Sequence, residues 1–202
     1  MSADIRKQLT NVLKKIRAED ARLIEQADTD IKIHPASFLK QFKIYEIKHF
    51  GEYKPILFYV GYGGGQEVYH LTADAENYER MSKADGVALE GPEAAGEYVA
   101  TYLEVTRSMS ELFYLVNSVG EMRYFPNLSE AEQEVQTDIE AQYGGVVGPP
   151  QAEPLGEGYE VTIYAVREQS LERQKIRVGG DGEIMAVNIE RLAEDLPLVY
   201  GG

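Results

Sequence analysis

Between Tyr159 and Ile189 the residues sort by parity into two sets, and that alternation limits what the stretch can fold into. Side chains along a strand point to opposite faces in turn, so a wrong register would scatter the sets. Pairing Val166 with Leu171, and Val178 with Glu183 across Gly179-Gly180-Asp181-Gly182, closes a three-stranded antiparallel meander. One face then collects Tyr159, Val161, Ile163, Ala165, Ile176, Val178, Met185, Val187 and Ile189. The other collects Thr162, Tyr164, Arg173, Lys175, Arg177 and Asn188. The first set reads as core and needs a helical lid, so the class expected is α+β.

A second meander is read over about 42–72, with strands at 42–50, 55–62 and 66–72. Its turns are Gly51-Glu52-Tyr53-Lys54 and Gly61-Tyr62-Gly63-Gly64-Gly65. Pairing His49 with Ile56 and Val60 with Glu67 puts Tyr45, Ile47, Ile56, Phe58, Val60, Tyr69 and Leu71 on one face. Glu46, Lys48, Leu57, Tyr59 and His70 fall on the other. Helical periodicity marks an N-terminal amphipathic helix over 3–26, carrying Ile5, Leu9, Val12, Leu13, Ile16, Leu23 and Ile24 in one stripe. A short helix over about 73–82 takes Thr72 as its N-cap. Gly91-Pro92 opens a helix over 92–106, because proline at the first helical position lacks an N–H that would be orphaned anyway. Leu112–Val116 reads as a buried strand. Ser129 and Glu132 form a capping box for a helix over 129–143. The Gly- and Pro-rich stretch 144–158 is expected to be a flexible loop or linker, and 1–202 a single domain with 92–106 or the N-terminal helix as lid.

Charge narrows the partners. A net charge of −14 repels phosphate backbones, so nucleic-acid binding is not expected. No apolar run approaches the length of a membrane span, and the N-terminus lacks a signal-type apolar core. Zero cysteine excludes disulfides, thiolate metal sites and a cysteine nucleophile, in keeping with a cytoplasmic location.

Catalytic signatures are missing from the pattern. The glycine run 61–65 leads into another strand rather than a phosphate-binding helix. His34, His49 and His70 do not converge in the registers above, and there is no Gly-x-Ser-x-Gly elbow. No cofactor or metal site is expected. The function expected is a non-enzymatic protein-interaction module, such as an adaptor, an immunity-type inhibitor or an assembly subunit. Its contacts would be Tyr164, Arg173, Lys175 and Arg177 on the outward row of the 159–189 meander, with the N-terminal helix as a possible homo-oligomer seam. An alternative is a small-molecule binder or enzyme with a pocket between the meanders, edged by Glu46, Tyr59 and His70. A third reading rests on the terminal Gly201-Gly202, which resembles the tail of ubiquitin-like and sulfur-carrier proteins. That resemblance implies a conjugated or adenylated carboxyl end and covers two residues only. A β-grasp domain also needs a helix between its hairpin and its later strands, and 159–189 offers none.

Overall fold

The structure is a computed structural model, and it describes residues 3–51 and 54–199. It is α+β, with five helices and two antiparallel sheets. The described residues divide into two compact units, one running to Val87 and adding Val105–Met109, the other holding Ala88–Glu104 and the residues from Ser110 on.

In the first unit, α1 (Ala3–Leu13) and α2 (Ala18–Glu25) form a hairpin against the sheet β1-β2-β3-β4. The strands are β1 (Thr29–His34), β2 (Lys43–Phe50), β3 (Pro55–Tyr62) and β4 (Val68–His70). The single helix expected over 3–26 is therefore broken at residues 14–17. An unbroken helix of that length would measure about 36 Å, against about 27 Å for an eight-residue strand. The break folds both apolar faces, Leu9, Val12 and Leu13 with Ala21 and Ile24, onto one cluster with Ile31, Tyr45, Ile47, Phe58 and Val60. Arg6 ties the arrangement together, donating to the carbonyls of Ile24, Gln26 and Thr29. Those carbonyls run from the last turn of α2 to the start of β1, so one guanidinium clamps the connection between helix and strand.

The register differs from expectation at β4. His49 opposes Ile56, but Val60 opposes His70 rather than Glu67. This shift of three positions is odd, so every β4 side chain changes face. The turn at 51–54 includes Glu52 and Tyr53, which lie outside the described residues. β1 was not expected. Its pattern, Thr-Asp-Ile-Lys-Ile-His, carries too much charge to read as core.

The opposite face of this sheet takes α3 (Ala75–Asp85). A Cβ on Gly61 would lie 2.1 Å from the Met81 sulfur, so the strand must be bare where the helix crosses it. The N-cap is Asp74, which accepts the Asn77 N–H at 2.9 Å. Thr72 instead accepts the Tyr59 N–H at 2.8 Å, extending the sheet rather than starting the helix. At the far end of α3, buried Asp85 accepts three successive backbone N–H groups, those of Lys40, Gln41 and Phe42, each at 2.7 Å. The loop before β2 is thus held by one carboxylate.

In the second unit, β7 (Gly158–Arg167), β8 (Ser170–Gly179) and β9 (Ile184–Ala193) form the expected meander. Val166 opposes Leu171, Glu160 opposes Arg177 and Tyr164 opposes Arg173, as the parity requires. The second turn differs: Val178 opposes Ile184, not Glu183, and a bulge follows at Met185. Two further strands pair with β7, namely β5 (Phe113–Leu115) and β6 (Gln151–Leu155). β6 lies inside the stretch expected to be a linker. Its Pro154 is tolerated because proline costs no ladder hydrogen bond on an edge strand. The helix α4 (Pro92–Thr106) has the expected bounds, and the Tyr98 hydroxyl donates to Gly182 O at 2.8 Å. The helix α5 (Glu130–Tyr143) carries the full Ser129–Glu132 capping box. Ile139 and Tyr143 of α5 join Val147, Leu196 and Leu198 over Tyr164, Val166 and Leu171. The N-terminal helices cover the first sheet.

Replacing Asp85 by Ala leaves three backbone donors without their acceptor. A charged hydrogen bond contributes about 1.5–3 kcal/mol, and the donors act together. Urea denaturation should show Asp85→Ala losing at least ~3 kcal/mol, with Asp85→Asn recovering part of it.

Candidate functional site

The three residues of the alternative pocket do not share a face. Glu46 and Tyr59 oppose each other on the α3 side of the first sheet, and Tyr59 is buried with its ring edge-on to His34 at 5.6 Å. His70, through the β4 register, faces the helical hairpin. There it stacks on Phe58 with ring centroids 5.8 Å apart, and its Nε2 lies 3.3 Å from Asp20 of α2. The sheet itself separates His70 from the other two.

His49 lies on that same helical side. Its Nδ1 is 2.9 Å from the Thr29 hydroxyl, whose own proton goes to Leu23 O at 2.6 Å. Nδ1 must therefore carry the ring proton and donate it. Both histidines thus tie the helical hairpin and its connection to the sheet, which is structural work. Burial raises the Asp20 carboxyl, but hydrogen bonds from His70 and Arg17, with their charges, outweigh it and hold the group below its ordinary value.

The basic row of β8 is present, with ion partners along it. Arg173 donates twice to Glu190, at 3.1 and 2.5 Å, and this hydrogen bonding holds the guanidinium above its already high ordinary value. Glu160 bridges Lys175 at 3.6 Å and Arg177 at 3.2 Å, one on each carboxylate oxygen. Three cations thus face two carboxylates and keep a single excess positive charge. Tyr164 opposes Arg173 as expected and hydrogen-bonds with it, but it is buried in the cluster under α5 rather than facing outward. Its strand runs from a covered end near Leu171 to an open one, so one row is half core and half surface.

A second feature was read as core and is surface. Met185, Val187 and Ile189 are 56, 48 and 46% exposed. Val187 and Ile189 do share a face with Ile176, as parity requires, but the cover over Ile176 stops short of β9. β9 is the last strand of its sheet, with β8 as its one strand neighbour among the described residues. A cue was available in the sequence, since Ile184–Ile189 ends a meander and no later stretch reads as a strand. The candidate site is accordingly the β8–β9 margin, with charged side chains on one face and apolar ones on the other.

Among the described residues no cluster of three or more His, Asp or Glu could hold a metal, and no helix is long and apolar enough to cross a membrane. Gly201-Gly202 lies outside the described residues. Set against known protein families, curated proteins and solved structures, the chain matches none of them.

The Asp20 position makes a pH prediction. A carboxyl lowered in the folded state stabilises above its unfolded pKa, and that contribution disappears as pH falls through the folded value. Stability of the wild type should therefore drop as pH goes below ~4. Asp20→Asn should be less stable at neutral pH and show a shallower drop over that range, measured by chemical denaturation at a series of pH values.

Proposed function

We propose that this chain is a non-enzymatic protein-interaction module whose contact surface is the β8–β9 margin of the second unit. The observation that carries the reading is β9 itself, a ten-residue strand at the edge of its sheet with an exposed apolar row. Unpaired N–H and C=O groups along such an edge accept another strand, and flanking side chains select which one. Arg173, Lys175 and Arg177 supply that selection. Their ion pairs are solvent-exposed, and pairs of that kind contribute only about 0–1 kcal/mol. A partner's carboxylates can displace Glu160 and Glu190 at small cost.

Charge reversal tests the assignment. Arg173→Glu with Arg177→Glu should deplete specific partners in a quantitative pull-down from the native host, while circular dichroism stays unchanged. Partners retained at wild-type levels would remove this row from the contact surface.

A further inference from the structure

The partner class follows from comparing β9 with the other sheet edges among the described residues. β4 and β5 are three residues long, too short to template a partner. β6 carries Pro154, and β1 sets Asp30 and Lys32 among its side chains. These are the usual devices that stop edges from pairing with one another. Apart from the bulge at Met185, β9 has none of them over Ile184–Ile189, a segment without charge, proline or glycine. An uncovered strand of this composition is an aggregation hazard, so its persistence implies something that covers it.

We infer that the cover is a second copy of this chain, whose β9 pairs antiparallel with the first about a twofold axis at Asn188. The inference rests on the reading of the β8–β9 margin as a contact surface and names its occupant. β9 is regular between two bulges, over Ala186–Arg191. Directly opposed residues of an antiparallel pair share a face, so a twofold axis must pass through a residue rather than between two. With Asn188 on the axis, Val187 opposes Ile189 of the second copy, and Ile189 opposes its Val187. The two exposed apolar pairs cover each other, and β-branched pairs in this arrangement stabilise a sheet. Asn188 opposes Asn188, where the two amides can hydrogen-bond. Ala186 opposes Glu190, already paired with Arg173 of its own chain. No like charges meet along the seam, although each copy carries −14. Moving the axis to Ile189 would set Val187 against Arg191.

A seam this short lies below the ~1,200–2,000 Å² of a standard interface, so the association is reversible and concentration-dependent. Salt should strengthen it, because screening weakens the repulsion between two acidic bodies while leaving apolar contacts intact. Sedimentation of the full chain should show a monomer–dimer equilibrium that shifts toward dimer as salt rises from ~0.05 to ~0.5 M. Val187→Lys with Ile189→Lys should abolish the dimer with no change in circular dichroism, since both positions are exposed. Because the chain has no cysteine, Asn188→Cys introduces a single thiol pair. Opposed Cα atoms would lie about 4.5–5.5 Å apart, within disulfide reach. Val187→Cys would place its thiols about two positions out of step, near 8 Å and beyond reach. Oxidation should therefore cross-link Asn188→Cys and leave Val187→Cys monomeric. A chain that stays monomeric at all concentrations, or a dimer indifferent to the double Lys variant, would overturn the self-pairing. Cross-linking through Val187→Cys in place of Asn188→Cys would overturn it equally. A monomer whose other partners are lost in the double Lys variant would sink the self-pairing alone and leave the interaction surface standing.

Discussion

A strand has two faces, and the register of an antiparallel pair decides which one every residue occupies. Much of the chemistry of this chain depends on that choice. Three positions of shift between β3 and β4 carry His70 from the Tyr59 side of the first sheet to the Phe58 side. There it meets Asp20 and fastens a helix, rather than lining a pocket with Glu46. In the second sheet the ten matched pairs between β7 and β8 leave no freedom, and Arg173, Lys175 and Arg177 fall in one row.

What the sheets bury is a separate matter from how they pair. Parity assigns Val187 and Ile189 to the same face as Ile176, yet Ile176 is buried and the other two are not. Cover comes from elements distant in sequence, such as α5 and the Leu196–Leu198 segment over Tyr164 and Val166. The reverse occurs at Tyr164, which shares a row with exposed Lys175 and Arg177 but lies under that cover. One sheet face therefore changes from core to surface along its length, and the change coincides with the β8–β9 margin. Bulges at both ends of the regular part of β9 add twist there, as bulges at sheet edges commonly do.

Elements with local signatures were legible in the sequence. Pro92 and the Ser129–Glu132 box each act within one helical turn, and both helices have the bounds their signals imply. The two-residue turn between Arg167 and Ser170 allows few registers, so Val166 against Leu171 could be inferred. The loop between β3 and β4 is longer and glycine-rich, so its length does not determine a register, and the assignment of His70 failed with it. The stripe from Ile5 to Ile24 continues through the break at 14–17, which hides the break from periodicity. β1 and β6 escaped because edge strands tolerate charge and proline that central strands do not. The reach of the lid over β9 could not be read, since no local pattern encodes where a distant helix ends.

The chain does not finish one unit before beginning the next. It leaves the first after Val87, supplies Ala88–Glu104 to the second, and returns with Val105–Met109. The returning segment is part of the first unit's fabric, for Arg107 O accepts the Ala73 N–H at 3.2 Å. During synthesis, then, the first unit closes only after all of α4 has emerged. Its residues Tyr98 and Val99, buried in the finished fold, then have no sheet to meet. Strands β7–β9 lie roughly fifty to ninety residues further on, a wait of about 3–20 s at ~5–20 residues per second. Over that interval the nascent chain carries an uncovered apolar helix, the form in which chaperones recognise their clients.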